Sequence, residues 1–208
     1  MTTSPRGGRP REFDRATALE RALVLFWDRG YETTSIADLT AAMGVAPPSL
    51  YAAFGSKRAL FDEVLDAYCE RYRSFMVRAL REEPTFRRGL ERLLREAAAA
   101  YTRPDRPPGC LVVSTAVNCG SPEVEQSLRA LRNSGVEALE HRIDAAIRAG
   151  ELPVGADARS LAVFTGVVLQ GMAQQARDGT TRRELESTAL IAISAWPWST
   201  AVPGRTGD

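Results

Sequence analysis

The chain has 208 residues, 44% hydrophobic and 25% charged, with a formal net charge of +1. Such a chain can bury a substantial core without disulfides or metals, and any surface for a polyanion has to be local. Three cysteines (Cys69, Cys110, Cys119) without metal-ligand spacing and a single histidine, His141, predict neither a metal site nor a cofactor, and the sparse thiols with no leader-like start predict a reducing cytoplasm.

Arg6, Arg9 and Arg11 open the chain with no acid among them, a short basic arm. From there helical spacing dominates and no β alternation is found. A first helix is predicted from Asp14, an N-cap type, to Arg29, with Gly30 ending it; its Leu19, Leu23, Phe26 and Trp27 share one face. Ser35 caps a short second helix with Ile36, Leu39 and Met43 on one side, and Gly44 closes it. A third short helix begins near Pro47, where proline costs least, and carries Leu50 and Phe54. Ser56 then caps a long helix predicted over 57–81, about 37 Å at 1.5 Å per residue, whose stripe of Phe61, Val64, Leu65, Tyr68, Tyr72, Met76 and Leu80 links two cores. Further helices are predicted over 85–101, after Pro107-Pro108, over 122–149 behind Ser121, over 157–177 and over 182–196, the last behind the capping box Thr181 to Glu184. The stretch 161–173 is the most apolar and falls short of a bilayer span. The pattern predicts an all-α protein: an N-terminal three-helix bundle (1–56) and a larger helical domain (57–208) entered through the connecting helix 57–81.

Residues 33–57 carry the functional signal. Two short helices meeting at a glycine that tolerates a left-handed backbone have the geometry of a helix-turn-helix. With Ile36, Leu39, Val45, Leu50 and Phe54 turned to the first helix, Pro47, Pro48, Ser49, Tyr51 and Ala52 remain at the exposed start of the second motif helix. In this motif that end meets base edges in the major groove. Tyr51, Lys57, Thr33, Ser35 and the arm residues Arg9 and Arg11 are the candidate phosphate contacts. Any two short helices around a glycine share part of this pattern; the basic arm before it and the capped long helix after it make it specific. In these residues, Gly30-Tyr31, Thr33-Thr34-Ser35-Ile36, Leu39, Gly44-Val45, Leu50-Tyr51, Phe54, Ser56-Lys57 and Leu60-Phe61, the sequence resembles the TetR family of bacterial transcription regulators over about residues 9–65. Two positions depart from the family pattern: Thr40 stands where Ala is frequent, and Ala46 replaces the frequent Ser that caps the recognition helix, a cap worth about 1 kcal/mol. The resemblance implies a homodimer that reads a palindromic double-stranded operator and a C-terminal domain that binds a small-molecule effector and releases DNA.

Beyond the motif, a pocket is expected between the end of the long helix and the helices after it, lined by Tyr72, Met76, Cys110, Val113, Asn118, Phe164, Val168 and Met172. The last two helices are apolar nearly all round, which calls for burial from both sides. They are expected to form the dimer interface, through Val163, Val167, Gly171, Ala189, Ile193 and Trp196. Two rivals stand beside a ligand-released repressor. One is a thiol-based redox or electrophile sensor at Cys110, although no Lys or His nearby in sequence lowers its pKa. The other is an enzyme in the C-terminal domain, disfavoured because nucleophile-elbow, P-loop and dinucleotide motifs are absent and His141 sits on a solvated helix face.

Overall fold

The computed structural model describes residues 14–116 and 119–199. Within them the chain forms helices and no strand: α1 (Arg15–Arg29), α2 (Ile36–Met43), α3 (Pro47–Phe54), α4 (Lys57–Tyr72), α5 (Ser74–Glu82), α6 (Phe86–Tyr101), α7 (Leu111–Ala116), α8 (Pro122–Arg148), α9 (Ala158–Arg177) and α10 (Arg182–Ser194). The all-α class is as expected. Arg9 and Arg11, and Asn118, lie outside the described residues.

Local chemistry sets most of the helix ends. Asp14 accepts from the Ala16 and Thr17 amides, and Asp157 from that of Ser160. Ser35 with Asp38 and Thr181 with Glu184 form reciprocal capping boxes, each satisfying two amides that a helix start leaves without partners. Gly44 closes α2 at φ 72°, ψ 35°, where a Cβ would be strained.

One expected element is divided. The apolar stripe of residues 57–81 runs through two helices, α4 and α5, which meet at Arg73 (φ −111°, ψ −6°). No proline or glycine marks the place, because the cause is tertiary. The buried side of α4 (Leu60, Phe61, Val64, Leu65, Tyr68) serves the core shared with α1, whereas Phe75 and Ala79 of α5 turn to α6. The approach to α6 is tight: a Cβ on Gly89 would stand 3.1 Å from the Ala79 oxygen and 3.3 Å from Leu80 Cα. A straight helix would follow only one of these two cores.

The two halves share a continuous apolar core. At its N-terminal end Phe26 meets Phe61 edge-on with ring centroids 5.1 Å apart, and Trp27 meets Tyr68 at 5.0 Å. At the far end Phe86 lies 5.3 Å from Trp196. Such aromatic pairs add to the stabilisation that burial of their area already provides.

Candidate nucleic-acid interface and effector core

The turn Gly44-Val45-Ala46 aims α3 outward. Leu50 and Phe54 are buried on its inner side, while Pro47, Pro48, Ser49, Tyr51 and Ala52 are exposed. Tyr51 stands out from the α3 surface at 48% exposure. Ala46 makes no side-chain cap bond, and Pro47 opens the helix. Thr40 is accommodated: its buried hydroxyl donates to the Ile36 and Ala37 carbonyls at 2.9 and 3.0 Å. Three long-range contacts clamp the motif to its neighbours. Arg15 pairs with Glu63 at 2.7 Å while stacking on Phe54; Arg21 donates to the Met43 carbonyl at 3.3 Å; and Arg29 pairs with Asp38 at 3.3 Å.

Three of the expected phosphate donors, Thr33, Ser35 and Lys57, are already engaged. The Thr33 hydroxyl donates to the Arg29 carbonyl and that of Ser35 to Asp38. Donation to its carboxylate, first from the Ser35 hydroxyl and then from the Ser35 backbone N–H, holds Asp38 below its ordinary range. Lys57 is half-buried, its ammonium 4.2 Å from the centre of the Tyr31 ring; burial lowers its pKa, and the Glu32 carboxylate acts in the opposite sense. These groups line one end of the motif, and each would exchange or share an internal partner to meet a phosphate.

In the C-terminal half the expected pocket lining separates into two sets. Cys110 and Met172 are buried, and Met76, Val113 and Val168 are half-buried against the core. Tyr72 leaves this set: its hydroxyl donates to Glu20 of α1 at 2.6 Å, beside the Arg71–Glu20 pair, and Arg106 covers its ring at 4.7 Å. Phe164 leaves it too, at 37% exposure on the outer side of α9. The reason is helical phase, since Phe164 lies with Val163 and Val167 while Thr165, Leu169 and Met172 face inward.

A similar correction applies to the expected interface. Val163 and Val167 are exposed, and a Cβ on Gly171 would meet nothing within 4 Å. Ala189, Ile193 and Trp196, however, are buried within the subunit. The outward apolar residues of α10 are Leu190 and Ile191, at 68% and 71% exposure. In the second half of this helix apolar residues face both inward (Ala189, Ala192, Ile193) and outward (Leu190, Ile191), so the local pattern there does not reveal its phase.

Sequence reasoning placed Tyr68 on the core-facing stripe but missed Tyr101, Arg73 and Arg132. Tyr68 and Tyr101 are buried, and burial first, then the neighbouring Cys110, pushes the Tyr68 phenol well above its ordinary range. Arg73 turns inward at the α4–α5 junction, with Nη1 4.0 Å from Cys69 Sγ and Nη2 3.5 Å from where a Cβ on Gly135 would stand. Arg132 holds a buried Nη1 without a hydrogen-bond partner. A signal for it existed: Arg132 follows Leu128 by four residues and precedes Leu139 by seven, both buried on the inner face of α8.

A helix-turn-helix presented by a three-helix head and backed by a helical core defines a DNA-binding transcription regulator. The comparisons agree. Residues 18–64 match the family model described as bacterial regulatory proteins, tetR family, and residues 86–189 match that of the tetracyclin repressor-like C-terminal domain. The chain is 34% identical over 193 residues to the HTH-type transcriptional repressor ComR of Escherichia coli (strain K12), covering 91% of this chain and 92% of that protein. It is 33% identical over 188 residues to the repressor BdcR of the same organism, covering 90% and 91%. A triple cysteine mutant of the TetR family regulator CifR, in complex with 26-bp double-strand operator DNA, superposes with a TM-score of 0.86 at 43% identity, covering 91% of this chain and all (100%) of that one. The chain belongs to the TetR family of bacterial regulatory proteins. That family is one of transcription regulators rather than enzymes, and the relatives do not favour the thiol-sensor alternative. Among the described residues no helix is long and apolar enough to cross a membrane.

Proposed function

We propose that this regulator is a cytoplasmic repressor that binds a palindromic operator as a homodimer and is released by a small-molecule effector. The reading head spans residues 1–56 and the effector and dimerisation part residues 57–208. The observation that carries the reading is the exposed edge Pro47, Pro48, Ser49, Tyr51 and Ala52, held on a buried base of Leu50 and Phe54. Small side chains there let α3 approach base edges closely, and the Tyr51 hydroxyl reaches a phosphate. Arg9, Arg11, Thr33, Ser35 and Lys57 complete the backbone contacts. The outward apolar strip of Val163, Phe164, Val167, Leu190 and Ile191 supports a partner copy, since a patch of this kind is costly in water. A rigid dimer would set its two α3 helices about 34–36 Å apart, the repeat of successive major grooves on one face.

Effector action is carried by contacts that the C-terminal helices make with the connecting helix α4 and with the head. Arg58 of α4 donates to Ser127 of α8 at 2.7 Å, and Cys119 lies 3.9 Å from the Glu32 carboxylate at the base of the motif. A ligand that favours one arrangement of the C-terminal helices moves α1 and α4 in proportion to its differential affinity for the two states. Selection of duplexes from a random pool, followed by binding isotherms against a scrambled duplex, tests the reading. Recovery of a palindromic site bound by dimers supports it, and equal affinity for selected and scrambled DNA rejects it.

A further inference from the structure

Helix α3 is unusual in what it lacks. From Leu39 to Ser56 the chain carries no Arg, Lys, His, Asn, Gln, Asp or Glu. Charge resumes at Lys57, whose ammonium lies against the Tyr31 ring. The buried Leu50 and Phe54 fix the phase of the helix. By the helical period the exposed Pro48 and Ala52, one turn apart, lie opposite Leu50, with Ser49 on one flank and Tyr51 on the other. The start of the helix adds little from its backbone. Pro47 and Pro48 have no N–H, and that of Ser49 donates to the Ala46 carbonyl at 3.0 Å. Helix α2 adds little either. The hollow between α2 and α3 is lined by Pro47 with Ile36, Ala37, Ala41, Gly44 and Val45, and its one polar side chain, Thr40, donates to the Ile36 and Ala37 carbonyls.

Each base presents its own pattern in the major groove. Guanine is read by the paired donors of Arg or Lys, adenine by the amide of Asn or Gln, and cytosine by a carboxylate. Helix α3 holds none of these side chains. The remaining feature is the thymine 5-methyl group, which is read by apolar contact and needs no polar partner. Pro48 and Ala52 supply an apolar surface for it, and the smallness of Ala52 admits a close approach. A hydroxyl such as that of Ser49 both donates and accepts, so it adds a hydrogen bond without choosing firmly between bases.

Resting on the reading of α3 as the operator-contacting helix, we infer that Pro48 and Ala52 are specificity-determining residues and that they select thymine, through its 5-methyl group, at the base pairs they meet in each half-site. Discrimination there comes from apolar contact and the exclusion of water rather than from paired hydrogen bonds. Tyr51 and Lys57, on phosphates, supply affinity without a preference for sequence.

The test uses the full chain and a duplex selected with it from a random pool, whose half-sites should share thymine positions. Each shared thymine is replaced by uracil in both half-sites, which removes the methyl and keeps every hydrogen-bonding group. At one or more positions affinity should fall about tenfold, as the loss of two buried methyl contacts requires. Cytosine·guanine at those positions should also weaken binding, and 5-methylcytosine·guanine, which restores a methyl to the groove, should recover part of the loss. Ala52→Gly and Pro48→Ala should each bind the selected operator more weakly and lose most of the uracil penalty at the position met, with the salt dependence unchanged. Should Ala52→Gly lose helicity by circular dichroism, Pro48→Ala and Ala52→Ser decide. The inference is overturned if uracil leaves affinity unchanged at every position, if 5-methylcytosine recovers nothing, or if the variants keep the full uracil penalty. Failure to select any duplex over scrambled DNA would reject the regulator reading itself. A selected duplex whose half-sites share no thymine would leave that reading standing and reject only the thymine assignment.

Discussion

The guanidinium of Arg177, at the C-terminal end of α9, donates to the main-chain carbonyl of Asp28 at 3.0 Å, and its other nitrogen donates to that of Trp27 at 3.3 Å. Those carbonyls belong to the last turn of α1, which has no intrahelical donors left for them and carries the negative end of the helix dipole. A cation from the effector half therefore caps a helix of the DNA-binding half. Arg177→Met should cost about 1 kcal/mol, lowering the melting temperature by about 2–4 °C, and should blunt operator release more than operator binding. Equal effector sensitivity in variant and wild type would show that this contact does not couple the halves.

Tyr51→Ala, Lys57→Ala and the double change of Arg9 and Arg11 to Ala should each weaken operator binding. For Lys57→Ala the slope of log affinity against log salt should fall by about 2 per dimer, because each subunit loses one phosphate contact worth about 0.9. Filter-binding isotherms that overlay the wild type at several salt concentrations for all three would remove α3 and its surroundings from the DNA interface.

The phase of α10 makes two substitutions on one helix behave oppositely. Leu190→Glu combined with Val167→Glu places charges on the outward strip and should yield folded monomers with little operator affinity. Ile193→Glu places a carboxylate in the subunit core and should destabilise the fold by more than about 3 kcal/mol. Sedimentation velocity at micromolar concentration with circular dichroism checks both. A monomeric wild type would dismiss the dimer proposal.

Gly109 is held at φ +79°, and a Cβ there would stand 2.5 Å from the Ala173 oxygen and 2.9 Å from Arg177 Cγ. Gly179, at φ +94°, has open space around it. Gly109→Ala combines backbone strain with a clash against helix α9 and should cost at least about 3 kcal/mol, against about 1–2 kcal/mol for strain alone in Gly179→Ala. Urea denaturation of the pair should rank them in that order.

The helix caps predict an acid dependence. Asp38 and Glu184 are held below their ordinary pKa by bonds first from the side chains and then from the backbones of Ser35 and Thr181. A depressed carboxylate contributes stability that is complete above its unfolded pKa, about 4, and lost as pH falls through the lower folded value. Glu184→Gln should therefore flatten the decline in melting temperature below about pH 4 without changing its form near pH 7. An unchanged acid limb would show that the capping box is not maintained in solution.

Much of this protein was legible in its sequence because the signals are local. A cap needs only Ser35 and the residue three places on; the motif turn needs only Gly44; the exposed edge of α3 follows from the spacing of Leu50 and Phe54. Each depends on interactions within one or two helical turns, so position along the chain is enough. What tertiary structure alone decided is where a residue's environment comes from distant segments. The break at Arg73 arises because α1 and α6 draw the stripe in different directions, with no local mark. The phase of α10 was set where Phe86 receives Trp196, since the second half of the helix carries apolar residues on both sides. Tyr72 was diverted from the effector core by Glu20, 52 residues earlier in the chain. The inward turn of Arg73 against Gly135, 62 residues later on α8, is likewise decided by distant segments, and no spacing along one helix encodes such a meeting.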